Sequence, residues 1–73
     1  MDFNAKLFKD NDHKCALVKV TNPYGYGHRI KGKIGRVYRN GLSDMGKYFF
    51  FEENTKFNCL LSPNEWTFIE YVL

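Results

Sequence analysis

Apolar and polar residues alternate along several short segments of this chain, and a spacing of two is the pattern of half-buried β-strands. The clearest case is residues 14–21, where Ala16, Val18 and Val20 occupy every second position and β-branched side chains dominate. Four later segments also have the length and composition of strands, namely residues 28–39, 47–52, 57–61 and 66–72. The pattern therefore predicts five antiparallel strands.

Turn-forming residues separate these segments. Residues 22–27 contain a proline and two glycines, so we expect a long exposed loop after the first strand. Asn40 and Gly41 form a tight-turn signal, and Ser43 to Gly46 extend it into a flexible connection, so the second strand is predicted to end before Asn40. Residues 62–65 have the composition of one helical turn, with a serine cap, a proline at the first position and a glutamate three residues after the cap.

The N-terminal segment admits two interpretations. Phe3, Leu7 and Phe8 have a spacing that suits one short helix with Asp2 near its N-cap. An edge strand is the alternative. In either case we expect the apolar side chains of this segment to cover an open end of the core.

Gly35 lies at a conflict in the second strand. Strict alternation would place Ile34 and Val37 on opposite faces, although both are apolar. A β-bulge at Gly35 would turn both inward and Arg36 outward. With this bulge, the predicted core consists of Ala16, Val18, Val20, Ile34, Val37, Phe49, Phe51, Leu61 and Ile69.

The length of 73 residues predicts a single domain over residues 1–73. Thirteen aromatic residues (seven Phe, five Tyr and one Trp) can supply a rich core. A domain of this size has little room for a deep pocket, so we expect a surface-acting module with no cofactor and no small-molecule substrate. The sequence has no apolar run of about 18 residues and no secretory signal, which predicts no membrane partner and a cytoplasmic location.

The residues with catalytic or metal-binding chemistry do not form a motif. Cys15 and Cys59 are far apart and outside any Cys-x-x-Cys spacing, so we expect reduced thiols and no metal site. His28 has no acidic neighbour in sequence that would orient it, and His13 stands beside Lys14. We therefore expect no enzymatic activity.

Charge is distributed unevenly along a chain whose formal net charge is +3. Between His28 and Leu42 there are basic residues and no acid, whereas acids outnumber lysines after Ser43. The side chains predicted to meet nucleic acid or an acidic protein surface are Arg29, Lys31, Lys33, Arg36 and Arg39. Tyr24, Tyr26 and Tyr38 lie nearby in sequence, and aromatic rings beside cations are typical of surfaces that bind single-stranded nucleic acid.

Five short strands, a long first loop and one helical turn before the last strand resemble a small SH3-like barrel. Within it, residues 31–37 are similar to the Lys-Gly-x-x-Gly-x-Val centre of the KOW motif of ribosomal and transcription-elongation proteins. Phage-encoded and other accessory proteins with SH3-like barrels share this glycine–valine pattern, and the abundance of Asn, Lys, Phe and Tyr suits an AT-rich genome of that kind. The resemblance implies a regulatory or accessory module that contacts nucleic acid or a nucleic-acid-handling complex.

Two other interpretations of these residues remain open. SH3-like barrels that recognise peptides use aromatic side chains between the long first loop and the hairpin loops, and Tyr24, Tyr26 and Trp66 could form such a groove. Alternatively, the basic residues could be only the solvated face of a strand. Phosphate contacts make affinity fall steeply with salt, so salt dependence separates nucleic acid from an aromatic peptide groove.

Overall fold

The computed structural model describes residues 3–10 and 13–72, apart from the side chains of residues 9, 10, 26 and 27. The predicted N-cap residue Asp2 lies outside this range. In chain order the elements are α1 (Ala5–Asp10), β1 (Cys15–Val20), a first 3-10 helix (Gly25–Ile30), β2 (Ile34–Leu42), β3 (Tyr48–Glu52), β4 (Asn58–Leu61), a second 3-10 helix (Pro63–Glu65) and β5 (Trp66–Val72).

The five strands form one sheet in the order β4-β3-β2-β1-β5. Every pairing is antiparallel, and β1 pairs with both β2 and β5. The prediction of a mainly β fold with five antiparallel strands is therefore confirmed.

The N-terminal segment is a helix, so the edge-strand alternative is wrong. The side-chain oxygen of Asn4 accepts hydrogen bonds from the backbone N–H groups of Lys6 (3.0 Å) and Leu7 (3.2 Å), which satisfies donors that have no partner inside the helix. Phe8 is fully buried, as expected for a segment that covers the core, whereas Leu7 is exposed. The Tyr71 hydroxyl fixes the start of this segment, because it accepts from the Asn4 N–H (3.0 Å) and donates to the Asn4 carbonyl (3.1 Å).

The second strand begins at Ile34 and not at residue 28, because residues 25–30 form a 3-10 helix. Ile30 is buried and anchors this helix to the core. The chain then reverses at Gly32, whose positive φ of 86° suits glycine. The Gly32 N–H donates to the Val20 carbonyl (2.7 Å), which joins the reversal to the end of β1.

The predicted turn at Asn40 and Gly41 is also wrong, since both residues lie within β2. The reversal lies in the later part of the predicted connection, where the Ser43 N–H donates to the Lys47 carbonyl (2.7 Å) and Gly46 has a φ of 75°. The register between β2 and β3 shifts between Val37 and Leu42. Asn40 and Gly41 lie in this irregular stretch, which accommodates the extra residues of β2 without ending the strand.

The prediction of which side chains are buried is confirmed for β1 and wrong for β3. Ala16, Val18, Val20, Val37 and Leu61 are buried as predicted. Four other residues of the predicted core are exposed instead of buried, each by 43%: Ile34, Phe49, Phe51 and Ile69. The core also contains four side chains that the predicted list leaves out, Ile30, Tyr48, Phe50 and Trp66, together with Cys15 and with Phe8, which was expected to cover it.

Gly35 explains why β3 buries the face opposite to the predicted one. The pairing of β1 with β2 runs without interruption through Gly35, so the predicted bulge there is wrong. Simple alternation turns Gly35 and Val37 inward and leaves Ile34 and Arg36 outside. A Cβ atom at Gly35 would overlap the Phe50 ring and the Phe51 carbonyl oxygen. The missing side chain thus provides the space into which the Phe50 ring packs.

Replacing Phe50 with alanine is expected to lower the free energy of unfolding by about 3–5 kcal/mol, because a fully buried ring is lost. The neighbouring change Phe51→Ala removes an exposed ring and should cost much less. Chemical denaturation of both variants measures the difference. A larger loss for Phe51→Ala would mean that the two faces of β3 are assigned the wrong way round.

Gly35→Ala is expected to destabilise the protein by about 1–3 kcal/mol or more, since the new methyl group overpacks the Phe50 ring. Gly41→Ala on the same strand is the control. Its Cβ would lie 3.2 Å from the Tyr38 carbonyl oxygen and 3.4 Å from the Phe49 Cβ, which a small shift relieves. Thermal melting ranks the two variants, and the opposite order would contradict the close approach at Gly35.

Candidate binding surface

The side of the sheet that faces away from the core, here called the outer face, is continuous across β1 to β4. Arg36 on β2 is paired with Leu17 on β1 and with Phe51 on β3. On the next outward positions Phe49 is paired with Leu60 of β4. An antiparallel sheet commonly presents polar residues on its solvated side, so the apolar character of this face is unusual.

Three rings on this face form a cluster, here called the outer aromatic cluster: Tyr38, Phe49 and Phe51. The Tyr38 and Phe51 rings meet edge to face with centroids 5.6 Å apart, and the Phe49 and Phe51 rings are 6.3 Å apart and tilted by 31°. With Asn40 and Gly41 they line an open groove of about 490 Å³, here called the outer groove. Gly41 has no side chain, which leaves the floor open beside Tyr38.

Arg36 stands next to this cluster and is held by an acid that is distant in sequence. Its Nε donates to the Oε1 of Glu53 at 3.1 Å, and both side chains are partly exposed. The Glu53 carboxylate raises the pKa of Arg36 above its ordinary value. Backbone pairing creates this contact, since the Glu53 N–H donates to the Ile34 carbonyl (3.1 Å). Sequence reasoning missed it because the two residues are far apart along the chain.

The predicted basic residues form a line and not a compact cluster. Arg29 lies in the first 3-10 helix, Lys31 and Lys33 lie in the connection to β2, and all three are exposed. Arg36 and Arg39 lie on β2 itself. From Lys33 to Arg39 a strand advances about 20 Å. These cations therefore extend along one strand and its approach.

The predicted aromatic residues are separated by the fold. Tyr24 is 58% exposed, and Tyr38 belongs to the outer aromatic cluster. The Tyr26 side chain lies outside the part of the chain that the structure describes. Trp66 is only 5% exposed and packs in the core against Phe3, with centroids 4.9 Å apart. The peptide groove predicted from Tyr24, Tyr26 and Trp66 therefore has no accessible ring at Trp66.

Glu65 is a buried carboxylate that holds two segments together. Its Oε1 accepts from the Tyr24 N–H (2.8 Å), and its Oε2 accepts from the Ser62 N–H (2.7 Å) and hydroxyl (2.9 Å). This is the predicted capping box, here extended to the loop after β1. Burial alone would raise the pKa of Glu65, but the hydrogen bonds from Ser62 and Tyr24, helped by the charge of Lys47, lower it below the ordinary value. Because both oxygens of this carboxylate accept hydrogen bonds from the surrounding chain, Glu65 has a structural role.

The two cysteines are free thiols, Cys15 buried and Cys59 half-buried. Burial raises the pKa of both thiols, which disfavours the reactive thiolate. Among the described residues no three His, Cys, Asp or Glu side chains converge as metal ligands. Within residues 3–10 and 13–72, no helix is long and apolar enough to cross a membrane.

Comparisons with protein-family models, curated proteins and solved structures find no match to this chain. The SH3-like and KOW-like resemblances therefore stay predictions.

Stability is expected to fall as the pH drops below about 4.5, the ordinary pKa of Glu65. Because the folded-state pKa is lower, the unfolded chain takes up the proton first, and the stabilisation is lost as the pH falls through the folded-state value. Glu65→Gln should cost about 1–3 kcal/mol at pH 7, since buried donors lose a charged acceptor, and should flatten the acid dependence.

Thermal melting from pH 7 to pH 3 measures both effects. Glu70→Gln is the matched control, because Glu70 is an exposed acid on β5. Equal acid profiles for wild type and Glu65→Gln would show that other groups control acid unfolding.

Proposed function

We propose that this protein is a non-enzymatic accessory or regulatory module that binds nucleic acid through the outer face of β2 and through Arg29, Lys31 and Lys33 before it, here called the basic segment. One observation supports this proposal above the others: β2 carries Arg36 and Tyr38 beside the exposed rings of β3. Cations attract phosphates, and exposed rings can stack on bases.

The electrostatics favour an anionic partner. Arg29, Lys31 and Lys33 are exposed at the approach to β2, and a positively charged edge steers phosphates by long-range attraction. The Glu53 carboxylate forms an ion pair with Arg36 and so neutralises part of the positive charge on β2. Since that ion pair is exposed, solvent and salt weaken it, and a phosphate can replace Glu53 as the acceptor.

We further propose that the sheet is an SH3-like barrel with a KOW-like connection. The strand order, the pairing of β1 with β5 and the 3-10 turn before the last strand support this classification. In the KOW-like stretch Gly32 takes a positive φ and Gly35 permits a close contact with β3. Each position therefore has a physical reason to be glycine. The proposed setting is the cytoplasm, in the manner of phage-encoded and similar accessory proteins, where free thiols persist.

A protein partner is the second candidate. The outer face also exposes Ile34, Phe49 and Leu60, and an apolar surface of this kind is typical of protein interfaces. Such a partner would bind with little dependence on salt, unlike nucleic acid.

The triple variant Arg29→Glu, Lys31→Glu, Lys33→Glu is expected to lose most binding to oligonucleotides and to capture less nucleic acid from lysate. Its affinity should also depend less on salt, by a slope of about 0.7 per lost phosphate contact. Fluorescence anisotropy at several salt concentrations measures both quantities.

The control is Lys6→Glu, Lys14→Glu, Lys56→Glu, which changes the net charge equally at exposed positions outside the basic segment. If both triples bind alike, net charge alone is responsible and the basic segment has no specific role. Capture of one partner that resists nuclease, by wild type and the first triple equally, would favour protein recognition.

A further inference from the structure

β4 is an edge strand whose backbone is only half used, because it pairs with β3 alone. The Glu52 N–H donates to the Phe57 carbonyl (3.1 Å), and hydrogen-bonded pairs then recur at every second residue of β4, beginning with Cys59. The N–H and C=O groups of Asn58 and Leu60 therefore point away from β3. In the part of the chain that the structure describes, no hydrogen bond is made to these four groups.

The opposite edge of the sheet is protected in ways that β4 is not. The register of β5 shifts where it pairs with β1, and β5 carries the exposed acid Glu70. Bulges and charges are common means by which an edge strand avoids pairing with another chain. The strand Asn58–Leu61 contains no charge and no proline, and its register with β3 has no shift. β4 is thus the edge that is open to a further strand.

An open slot of about 550 Å³, here called the β4 slot, runs beside this edge. One wall is formed by Tyr24 and Gly25 of the segment after β1, and the other by residues 57–60. Because three consecutive residues of β4 line the slot, it follows the backbone of the strand and not one of its faces. None of the described residues that line it belongs to the basic segment or to the outer groove.

Lys47 supplies the accessible charge of the β4 slot. Its ammonium group makes no ion pair or hydrogen bond with the described residues. Glu65 also lines the slot, but it is only 2% exposed and its oxygens accept from Tyr24 and Ser62. A ligand that fills the slot therefore meets one free cation, which a carboxylate would complement.

We infer that the β4 slot binds an extended segment of a partner protein, which adds a strand to β4 and places an acidic side chain beside Lys47. The free groups of Asn58 and Leu60 recur with the spacing of a strand, and another extended backbone carries donors and acceptors with the same spacing. This selects a polypeptide over other ligands. The inference goes beyond the proposed function and does not depend on it.

A second copy of this chain fits the β4 slot less well than a different protein. β5 is protected from pairing, so the edge that a second copy would offer is another β4. The strand Asn58–Leu61 contains no acid that could meet Lys47. The partner segment should instead carry an acid between two apolar residues. Side chains alternate along a strand, so the neighbours of the acid would lie on the outer face beside the exposed Leu60.

The probe is a displayed library of short random linear peptides, selected on the folded full-length protein. The selection should enrich peptides in which an acidic residue stands between β-branched apolar ones. Synthetic copies of these peptides with a fluorescent label give the affinity by anisotropy. A selection that enriches no peptide, or peptides without an acid, would overturn the inference.

Amide hydrogen exchange, followed by NMR, locates the bound peptide. In the free protein the N–H groups of Asn58 and Leu60 should exchange quickly, whereas that of Cys59, bonded to β3, should exchange slowly. Saturating peptide should slow exchange at Asn58 and Leu60 about tenfold or more. Binding without this change would exclude strand addition. Slower exchange at high protein concentration without peptide would identify a second copy as the occupant and would equally overturn the inference.

Lys47→Glu should weaken binding of the acidic peptide about tenfold or more, because repulsion replaces a hydrogen bond between charged groups. The same variant should bind more tightly to a peptide in which lysine replaces the acid. Lys6→Glu, at an exposed position on α1, is the matched control and should bind like wild type. Equal losses in the two variants, or no gain with the lysine peptide, would remove Lys47 from the site.

Leu60→Pro removes an outward N–H without removing a bond to β3, a position where an edge strand tolerates proline. It should weaken peptide binding about tenfold, since a backbone hydrogen bond is lost and the ring obstructs the added strand. Leu60→Ala keeps the N–H and should lose clearly less. Melting curves verify that each variant folds, and if Leu60→Pro does not, the exchange data and the Lys47 variants decide. Unchanged affinity in folded Leu60→Pro would contradict strand addition.

Discussion

The contact of the Phe50 ring with the backbone of Gly35 determines how the rest of the sheet is arranged. With no Cβ at Gly35, the ring packs directly against β2 on the inner side. Since side chains alternate along a strand, an inward Phe50 requires Tyr48 to point inward and Phe49 and Phe51 to point outward. The position of one glycine thus produces both the packed core on one side and the exposed rings on the other.

Glu65 has a comparable role at the end of the sheet where β1 and β5 meet. Its carboxylate caps the turn before β5 and accepts from Tyr24 in the loop after β1. Its backbone carbonyl accepts from the N–H groups of Thr21 (3.1 Å) and Asn22 (3.0 Å). A buried charge is tolerated only when its hydrogen bonds are made, and here donors from two segments supply them. This acid therefore fixes the loop that leads towards the basic segment.

The outer face combines features that usually oppose each other. Exposed rings on a sheet invite association, and like charges along a strand repel one another. Glu53 relieves part of the repulsion by pairing with Arg36 at the surface. Because this pair is exposed, breaking it costs little, so it would not prevent Arg36 from meeting a phosphate of the proposed partner.

Local signals in the sequence were sufficient to predict β1, β4, β5 and the turn before β5. The alternation of Ala16, Val18 and Val20 and the serine–proline–glutamate spacing act over a few residues, and the structure keeps them. The basic line along β2 was also visible, since it is contiguous. The turn predicted at Asn40 and Gly41 failed because β2 continues through both residues, where its register with β3 shifts, and the chain reverses only after Leu42.

The tertiary structure alone decided which face of β3 is buried and which acid meets the basic strand. Residues 48–51 are aromatic without interruption, so their sequence contains no period that could distinguish an inner from an outer face. Only the space at Gly35, on another strand, makes that choice. Glu53 reaches Arg36 for the same reason: antiparallel pairing places residues side by side that are separated along the chain, and the charges of a sequence cannot show which of them will be neighbours.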